Sequence, residues 1–508
     1  MPISRLGRSA GCLLVVMMLA ASAVAPLAAQ ASPYLPLDDA SLPLLEYLIE
    51  RGDVEDPSPM IRPFRRADAV RALAAADTVG SASAGMIGAL LEQFGRGVGE
   101  QTWAAEIRAG GQAYTAARRD ALHPAGDDGI APYADLSLRA VFGNIVAVTR
   151  PAIENRVTDD PDWPGRPDVD VAGRLVEGYL GAQFRFARIA YGQLDHNWGP
   201  VGLPGIPLSN VGYERQGLLV EVGNRTLRLT ALATDLHDGP DSAGVNNHRY
   251  YFVHRLALRL SRKLELAAWE ANVLAGADRN FETRYRNPLS IGYLANTIGL
   301  GDRGNEMLGL DARWRAVGRT TLEAQLALDD FWYQDRDQNR DRWALTFAAS
   351  GPLGGSASWR AMYSQVSSLA LRAFNRAENF TDAGVGLGRN FSDNDHLLVR
   401  VSVPLRNRWL VTPELALFRQ GEGRIEDPYP APPERAGTPA LFIGTVERTW
   451  RAALALRGHE GPLALSAEAG FHHVVNAGHA AGITDNRVEA RVQATLGVGW
   501  WGSFSEDD

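Results

Sequence analysis

The sequence predicts a mainly β protein, a transmembrane antiparallel β-barrel of about 18 strands that follows a small N-terminal α-helical region. Apolar and polar residues alternate over segments of about ten residues, the length that a tilted strand needs to cross a bilayer. The connections between these segments are alternately long and short. Aromatic residues stand near segment ends, as at Tyr250-Tyr251, Trp409 and Trp500-Trp501. Together these three observations favour a barrel over a soluble β-sandwich, which also shows alternation.

The N-terminus has the features of a secretory signal peptide, which we predict over residues 1–31. A basic start precedes the apolar run Cys12–Leu19, and the small-x-small triplet Ala29-Gln30-Ala31 follows it. Cleavage removes Cys12, the only cysteine, so the mature chain is expected to form no disulfide. The full chain has a formal charge of −8, and this acidic excess argues against nucleic acid as a partner.

Residues 32–105 are predicted to form a helical cap on the periplasmic side. Apolar residues at helical spacing run from Leu44 to Ile49, and Gly52 ends this first helix. We predict two further helices, at about 67–76 and 84–94. A connecting segment at 106–131 then leads to the barrel.

The barrel is predicted to occupy residues 132–501. In residues 319–330 every second side chain is apolar, and the intervening side chains include Glu323 and Gln325. The same alternation occurs in six further segments: 225–234, 307–316, 397–405, 450–457, 463–472 and 487–500. No run of about 18 apolar residues follows the signal, so we expect no membrane-spanning helix.

The lengths of the connections predict the topology. An outer-membrane barrel has long loops outside the cell and short turns in the periplasm. The predicted long connections are 151–172, 196–215, 235–249, 274–305, 331–341, 421–446 and 474–486. The predicted short ones are centred on Ala187, Asn224, Arg262, Gly318, 351–355, Asn407 and 458–461.

The strand count follows from this parity. Residues 356–394 must contain an odd number of strands, which we predict at about 356–365, 367–375 and 380–389. With 132–150 as the first strand the total is 18, and an additional hairpin including 111–120 would make it 20. An acidic tail over 502–508 follows the last strand.

A loop rich in glycine and proline, Tyr191–Asn210, lies between two predicted strands. Its Gly and Pro density is incompatible with the interior of a strand or helix and predicts an ordered loop. Packing of its own tryptophan is the plain structural interpretation, and a lid over the lumen is the functional one. The motif residues are Trp198, Gly199, Pro200, Leu208, Ser209 and Asn210.

This pattern resembles the WGPG…LSN signature of the capsule assembly Wzi family. The segments LPLDD, LLEYLIERG and RPFRRADAV near the start of the mature chain also resemble the helical region of that family. After Asn210 the family continues with another Asn and Ala-Arg-Pro, where this chain has Val211–Arg215. The resemblance implies a barrel in the bacterial outer membrane, exported through a cleaved signal peptide. It also implies a non-enzymatic role: binding exported capsular or exo-polysaccharide and helping to anchor or assemble it at the cell surface.

Aromatic and arginine side chains in the long loops are the candidates for polysaccharide binding. Aromatic rings stack on the C–H faces of sugars, and guanidinium groups bind hydroxyls and carboxylates. An ordinary polar surface loop is the alternative interpretation. The candidate residues are Arg279, Arg284, Tyr285, Arg286, Tyr293 and Tyr429.

Two other functions fit a barrel. A porin-like channel for small solutes needs an open lumen, and a lipid hydrolase needs a Ser/His pair near the outer rim. Charged residues on the inner face, such as Arg400, Arg451 and Glu468, either pair with one another or line a path for an ion or a sugar polymer. The sequence contains none of the common catalytic, metal or nucleotide motifs, so we predict no catalytic residues, no metal site and no cofactor. The expected partners are surface polysaccharide, outer-membrane lipid and the capsule export machinery.

Overall fold

Eighteen antiparallel strands close into a barrel in the computed structural model, which describes residues 31–279, 304–331 and 336–504. The predicted fold class is confirmed: the protein is a closed 18-stranded transmembrane barrel with a small N-terminal helical region. Residues 1–30 of the predicted signal peptide lie outside the described residues.

The strands are numbered in chain order. The 18 barrel strands are β2 (Gln101–Tyr114), β3 (Gly129–Phe142), β4 (Ile145–Glu154), β5 (Gly173–Gln183), β6 (Ala187–Gln193), β8 (Gln216–Gly223), β9 (Leu227–Pro240), β10 (Asn246–Ser261), β11 (Leu264–Gly276), β12 (Asn305–Arg315), β13 (Thr321–Asp330), β14 (Arg342–Leu353), β15 (Ala357–Val366), β18 (Asn394–Leu405), β19 (Trp409–Gln420), β20 (Glu447–Glu460), β21 (Leu463–Val475) and β22 (Thr484–Ser503). Two short two-stranded sheets stand apart from the barrel: β1 (Ile61–Arg62) with β7 (Asn197–Trp198), and β16 (Thr381–Asp382) with β17 (Val385–Gly386).

The helices of the described residues are few and short. They are α1 (Leu42–Arg51), α2 (Arg66–Ala74), α3 (Ala84–Gly95) and α4 (Glu434–Gly437), with 3-10 turns at Asn155–Asp159, Val317–Arg319, Arg376–Glu378 and Ala477–His479. As predicted, Gly52 ends α1, and it adopts the left-handed conformation (φ 73°) that glycine tolerates. Within the part of the chain that the structure describes, no helix is long and apolar enough to cross a membrane.

The barrel is polar inside and apolar outside. In β13 the side chains of Glu323, Gln325 and Asp329 are buried in the lumen, while Leu322 and Leu326 are exposed on the outer surface. A soluble protein would bury those leucines. Their exposure is the expected result when the barrel wall faces lipid.

The aromatic residues near strand ends divide between the two sides of the wall. Trp500 is half-exposed on the outer surface, as an interfacial girdle requires. The adjacent Trp501 points to the inner side at the turn end, where the Arg96 guanidinium lies 5.0 Å from its ring. Tyr251 is different from the expected girdle residue, because it is fully buried in the lumen, where its hydroxyl donates to the carbonyl of Pro207.

The barrel begins with β2 (Gln101–Tyr114), which includes the end of the range expected for the cap (32–105) and the start of the range expected to connect cap and barrel (106–131). This strand pairs with β3 on one side and with β22, the last strand, on the other, and thereby closes the barrel. Its outward positions are mostly small, including Ala105, Ala109 and Ala113, so its apolar alternation is weak. The expected first strand, 132–150, is a hairpin instead, because Gly143 (φ 57°) and Asn144 form a turn between β3 and β4.

Residues 356–394 contain one barrel strand rather than three. Strand β15 matches the first predicted strand, whereas 367–375 and 380–389 belong to a loop inside the lumen. The apolar residues of that loop, Leu371, Phe380 and Leu387 among them, are buried. A strand of the wall has one lipid-facing side, but this segment is surrounded by protein. Two missed strands and two surplus strands therefore leave the predicted total of 18 unchanged.

The connections have the predicted length asymmetry. One end of the barrel, here the long-loop end, carries nine connections: 115–128, 155–172, 194–215, 241–245, 277–304, 331–341, 367–393, 421–446 and 476–483. The other, the turn end, carries eight: 143–144, 184–186, 224–226, 262–263, 316–320, 354–356, 406–408 and 461–462. The connection expected at 235–249 is only five residues long, because β9 and β10 extend past the ends of their neighbours.

The helical region lies across the turn end of the barrel and reaches into the lumen. Arg51, at the end of α1, donates to the carbonyls of Gly355 (3.1 Å) and Ala357 (2.8 Å). Glu50 forms an ion pair with Arg400 of β18 at 2.6 Å. Hydrogen bonds and ion pairs thus join the cap to the barrel wall. The apolar core of the cap adds a further contact, because it includes Leu410 of β19.

The chain end also packs on the wall. Strand β22 extends to Ser503, beyond the expected boundary at 501, and the ring of Phe504 stacks on Phe142 with 4.4 Å between centroids. The rest of the predicted acidic tail, 505–508, lies outside the described residues.

Candidate functional site

The N-terminal region and the glycine- and proline-rich loop meet inside the barrel. Strand β1 pairs with β7, with Ile61 opposite Trp198 and Arg62 opposite Asn197. Strand β1 comes from the turn end, and β7 belongs to the loop 194–215 of the long-loop end. The lumen is therefore crossed by a two-stranded sheet with one strand from each end of the barrel.

Trp198 fixes this junction. Its side chain is only 1% exposed, in an apolar cluster with Ile61, Ile206 and Leu208. Its backbone N–H donates to the carbonyl of Leu208 at 2.9 Å, and its carbonyl accepts from Gln325 Nε2 at 3.0 Å. The predicted ordered loop is thus held both by burial of its own tryptophan and by a side chain of the wall.

The glycine and proline positions allow the loop to fold on itself. A Cβ atom at Gly199 would come within 2.7 Å of the Gly205 Cα atom and 2.9 Å of Gln325 Oε1. The N–H of Gly205 donates to Asn197 Oδ1 at 2.7 Å. Pro200 is buried beside them. This close approach of backbone to backbone explains why glycine stands at position 199.

Ser209 connects this loop to the neighbouring inward loop 367–393. Its Oγ donates to the carbonyl of Gly388 at 2.6 Å, and its N–H donates to the carbonyl of Leu387 at 2.9 Å. Leu208 is buried in the apolar cluster, whereas the adjacent Asn210 is exposed and lines a cavity. The six motif residues therefore divide into five buried residues that hold the loop and one that faces solvent.

The cavity has a volume of about 680 Å³ and lies inside the barrel beside the junction. Its wall is formed by β2–β5 and β18–β22, and the loops at 115–128, 194–215 and 367–393 complete it. It extends along the strands from Phe418, near the long-loop end of β19, to Arg457, near the turn end of β20. This size lies within the range of roughly 300–1,000 Å³ that is typical of ligand sites.

Charged side chains line the cavity, and most form ion pairs. Arg451 contacts Glu414 (2.8 Å) and Glu489 (3.1 Å), and Arg174 contacts Glu154 (2.7 Å). Self-pairing, one of the two interpretations open for these residues, thus holds for most of them. Paired charges position one another, but they leave little net attraction for a ligand.

One wall of the cavity carries aromatic rings. The Phe391 ring centroid is 4.0 Å from that of His123 and 5.9 Å from that of Phe418. His396 lies edge-on to Phe418 at 5.7 Å. Arg389 lines the same cavity two residues before Phe391. Rings and a guanidinium group side by side are a suitable surface for a sugar.

Two loop residues of the cavity have shifted pKa values. Burial, followed by the nearby Glu214 carboxylate, raises the pKa of Asp195 to about 8. Burial lowers the pKa of Arg389 to about 9. Both shifts indicate that this part of the lumen solvates charge poorly.

The predicted polysaccharide-binding residues have different outcomes. Arg284, Tyr285, Arg286 and Tyr293 lie outside the described residues. Arg279 follows β11, and its carbonyl accepts from the Tyr250 hydroxyl at 3.4 Å. Tyr429 belongs to a cluster in the long loops, with Phe374 at 4.6 Å and the Arg342 guanidinium at 5.3 Å from its ring.

Solved structures with the same fold include proteins of the outer membrane. One is Wzi, an outer-membrane protein involved in group 1 capsule assembly in Escherichia coli and described as a carbohydrate-binding β-barrel. The similarity has a TM-score of 0.62 at 12% identity and covers 92% of this chain and 99% of Wzi. OccAB4 of Acinetobacter baumannii (TM-score 0.47, 10% identity, 79% and 99% covered) and OprD of Pseudomonas aeruginosa (0.45, 10%, 79% and 94%) are more distant.

The sequence comparisons give no family. No protein-family model matches the chain, and no curated protein matches it. At 12% identity the likeness to Wzi shows a shared fold. Within the described ranges, no group of three or more His, Cys, Asp and Glu residues is arranged to hold a metal ion.

Sequence reasoning missed Arg389, Phe391 and His123. Arg389 falls in a segment predicted to be a strand, and His123 falls in one predicted to be a connection. No motif marks these residues, because two segments that are far apart in sequence bring them to one cavity: loop 115–128 and loop 367–393. The run of glycines at Gly384, Gly386 and Gly388 was the available signal for a loop.

Proposed function

We propose that this protein is a non-enzymatic barrel of the bacterial outer membrane, related to the capsule assembly Wzi family, that binds exported polysaccharide and helps to anchor or assemble it at the cell surface. In this proposal the signal peptide at 1–31 is cleaved, the cap lies in the periplasm, and the long loops face outwards. Lipid surrounds the wall, and the export machinery for the polysaccharide is a further partner.

The observation that carries the proposal is the junction between β1 and β7. Two segments from opposite ends of the barrel pair across the lumen, and Trp198, Ile61 and Leu208 bury apolar surface there. A barrel whose main purpose is passage gains nothing from this apolar packing. In a barrel that binds a polymer at its long-loop end, the same packing gives the loops a rigid support.

The loops support the same function. The rings of Tyr429 and Phe374 pack together, with 4.6 Å between their centroids. The guanidinium groups of Arg342 and Arg372 lie within 6.0 Å of the Tyr429 ring, and that of Arg435 lies 4.7 Å from the Phe374 ring. Phe374 is exposed. Phe374 thus presents an exposed ring that is suited to stack on a sugar unit, with the half-buried ring of Tyr429 packed against it.

A channel for small solutes is the second candidate. The cavity favours it, because it follows the wall from Phe418 to Arg457 and thus spans most of the strand length. The two functions predict different behaviour of the same purified protein.

The test combines conductance with polysaccharide retention. Purified protein is inserted into a planar bilayer, with and without the surface polysaccharide of the source cells. Cell-bound and released polysaccharide are measured in a deletion strain, with and without the gene restored. We expect low conductance in the bilayer, and release of polysaccharide that the restored gene reverses. Large, stable single-channel steps together with normal retention in the deletion strain would favour the channel and refute the binding function.

A further inference from the structure

Arg389 differs from the other arginines that line the cavity. Eight arginines line the cavity, and seven of them have a carboxylate within 4.0 Å: Arg119, Arg156, Arg174, Arg400, Arg451, Arg457 and Arg491. Among the described residues no carboxylate lies that close to Arg389, which is 6% exposed. Its Nη2 donates to Thr346 Oγ1, and its Nε has no hydrogen-bond partner there.

A buried charge without a counter-charge is costly. Removing an ionised group from water is unfavourable, and a nearby opposite charge normally offsets that cost. Here the offset is missing from the described part of the chain, although Arg389 lines the cavity and its Nε has no hydrogen-bond partner there. The guanidinium group is therefore prepared for an anion that comes from outside the protein.

The backbone that carries Arg389 is held on both sides. Before it, the carbonyls of Leu387 and Gly388 accept two hydrogen bonds from Ser209. After it, Asn390 Oδ1 accepts from the N–H of Gly386 at 2.9 Å. These hydrogen bonds hold the backbone of Arg389 in place. Less conformational entropy is therefore lost when the guanidinium group binds a ligand.

The surroundings of Arg389 suit a sugar rather than a bare inorganic ion. Phe391 and Phe418 supply ring faces and edges, and the side chains of Asn210, Asn390 and Asn394 line the same cavity. Rings contact the C–H groups of a pyranose, and amides bind its hydroxyls. An inorganic anion would use the guanidinium group and none of these rings.

We propose that the cavity is a subsite for an acidic sugar unit, a hexuronate, whose carboxylate pairs with Arg389 while its ring packs against Phe391 and Phe418. This inference rests on the proposed function and names the substrate class. It assigns Arg389 to carboxylate binding and Ser209 to positioning of the segment that carries Arg389.

The test uses two saccharides that differ only in the carboxylates. Cellotriose and its C6-oxidised analogue, the β-1,4-linked triglucuronate, are titrated calorimetrically into the detergent-solubilised full-length protein at low and at high ionic strength. We expect the parent protein to bind the triglucuronate at least about tenfold more tightly than cellotriose, with the preference reduced by salt.

Three variants separate charge recognition from folding. Arg389→Gln should weaken triglucuronate binding by about 10- to 150-fold, the effect of one charge-assisted hydrogen-bonding group, and leave cellotriose binding nearly unchanged. Arg389→Lys keeps the charge and should retain part of the preference. Arg66→Gln is the matched control, because Arg66 is also buried without a carboxylate within 4.0 Å in the described structure but lies outside the cavity. Heat-modifiable migration on a gel confirms that each variant is folded.

The outcomes separate this inference from the function on which it rests. Equal affinity for both saccharides, no binding of either, or an Arg389→Gln variant that binds like the parent would overturn the uronate subsite. Equal weakening by Arg66→Gln would also overturn it, since the effect would then come from loss of any buried charge. If polysaccharide retention is intact in these cases, the proposed function stands without this subsite. If the deletion strain retains its polysaccharide but the triglucuronate binds, the subsite stands and the anchoring function fails.

Discussion

At the scale of single residues, the position of a side chain relative to the wall decides whether it is buried. Leu322 and Leu326 are exposed because their surroundings are lipid, and Glu323 between them is buried because it faces the lumen. The buried charges then satisfy one another, as Glu323 does with Arg360. Trp198, like Trp269 and Phe380, is a large apolar residue that is buried in the lumen instead of facing lipid.

Trp198→Ala is expected to loosen the junction without unfolding the barrel. Loss of a buried tryptophan costs about 3–5 kcal/mol, and here the cost falls on the β1–β7 contact, which is not part of the barrel wall. Heat-modifiable migration should persist while conductance in planar bilayers rises. Trp314→Ala, which removes a ring that is 50% exposed on the outer face, should leave conductance unchanged. Failure of the Trp198 variant to insert would show instead that the barrel itself needs this ring.

Asp195 gives a pH dependence of stability. Its folded pKa of about 8 lies above the value of about 3.9 expected for an unfolded aspartate. Between about pH 4 and 8 the folded state keeps a proton that the unfolded state has released, so stability falls as the pH rises through this window. In Asp195→Asn this loss is absent.

Thermal unfolding in detergent at pH 4 and pH 9 measures the effect of Asp195. The measured quantity is the unfolding midpoint of Asp195→Asn minus that of the parent. This difference should be larger at pH 9 than at pH 4. Asp168→Asn, which removes an exposed loop carboxylate, should show no such gain. A constant difference between variant and parent at both pH values would contradict the raised pKa.

At the scale of elements, β2 and the loop 367–393 decide how the barrel closes and what fills it. Strand β2 joins the last strand over its full length, from Thr102–Ser503 to Tyr114–Arg491. The loop contributes buried apolar residues to the lumen instead of strands to the wall. Both elements have weak alternation in sequence, one because its outward residues are small and the other because it has no lipid-facing side.

Barrel closure by β2 can be tested with an engineered disulfide. Ala109 is the direct partner of Leu496, and both face outwards. Facing residues of an antiparallel pair have Cα atoms about 4.5–5.5 Å apart, a separation that a disulfide spans. We expect Ala109→Cys with Leu496→Cys to cross-link on oxidation, which a mobility shift reversed by reductant reports.

The control for closure pairs Ala109→Cys with Thr495→Cys. Thr495 is buried on the inner face, so the two side chains point to opposite sides of the wall and should not cross-link. The predicted removal of Cys12 with the signal peptide leaves no other thiol to interfere. Cross-linking of the control alone would mean that the register between the first and last strands is shifted by one residue.

At the scale of the whole molecule, the two ends of the barrel have different roles. The turn end is covered by helices α1–α3, and the long-loop end carries the aromatic and arginine cluster around Tyr429. Orientation in the membrane therefore decides which of these two surfaces faces the cell exterior.

The proposed orientation predicts which cysteines a membrane-impermeant thiol reagent labels on intact cells. Gly437→Cys lies in an exposed part of loop 421–446, where an added side chain meets no neighbour, and we expect it to be labelled. Asn407→Cys, in a turn at the other end, should be labelled only after the cells are opened. Labelling of Asn407→Cys alone on intact cells would reverse the orientation and with it the assignment of the polysaccharide to the long loops.

The sequence by itself determined the class of fold, because period-two alternation and loop lengths are local properties. Residues 319–330 and 487–500 show their lipid-facing and lumen-facing sides without reference to any other segment. Gly52 likewise ends α1 through its own backbone preference. The ordered character of the loop at Trp198 was also predictable, since its glycines and prolines act on neighbouring residues.

Only the tertiary structure decided what lies inside the barrel. The contact of Ile61 with Trp198, the hydrogen bonds from Ser209 to the segment before Arg389, and the ring contacts of Phe391 join segments that are far apart in sequence. Whether a charge such as Arg389 is paired depends on carboxylates contributed by other strands and loops, and no local pattern encodes that arrangement. The lumen site emerges from barrel closure because closure brings those distant side chains together in a medium that solvates charge poorly.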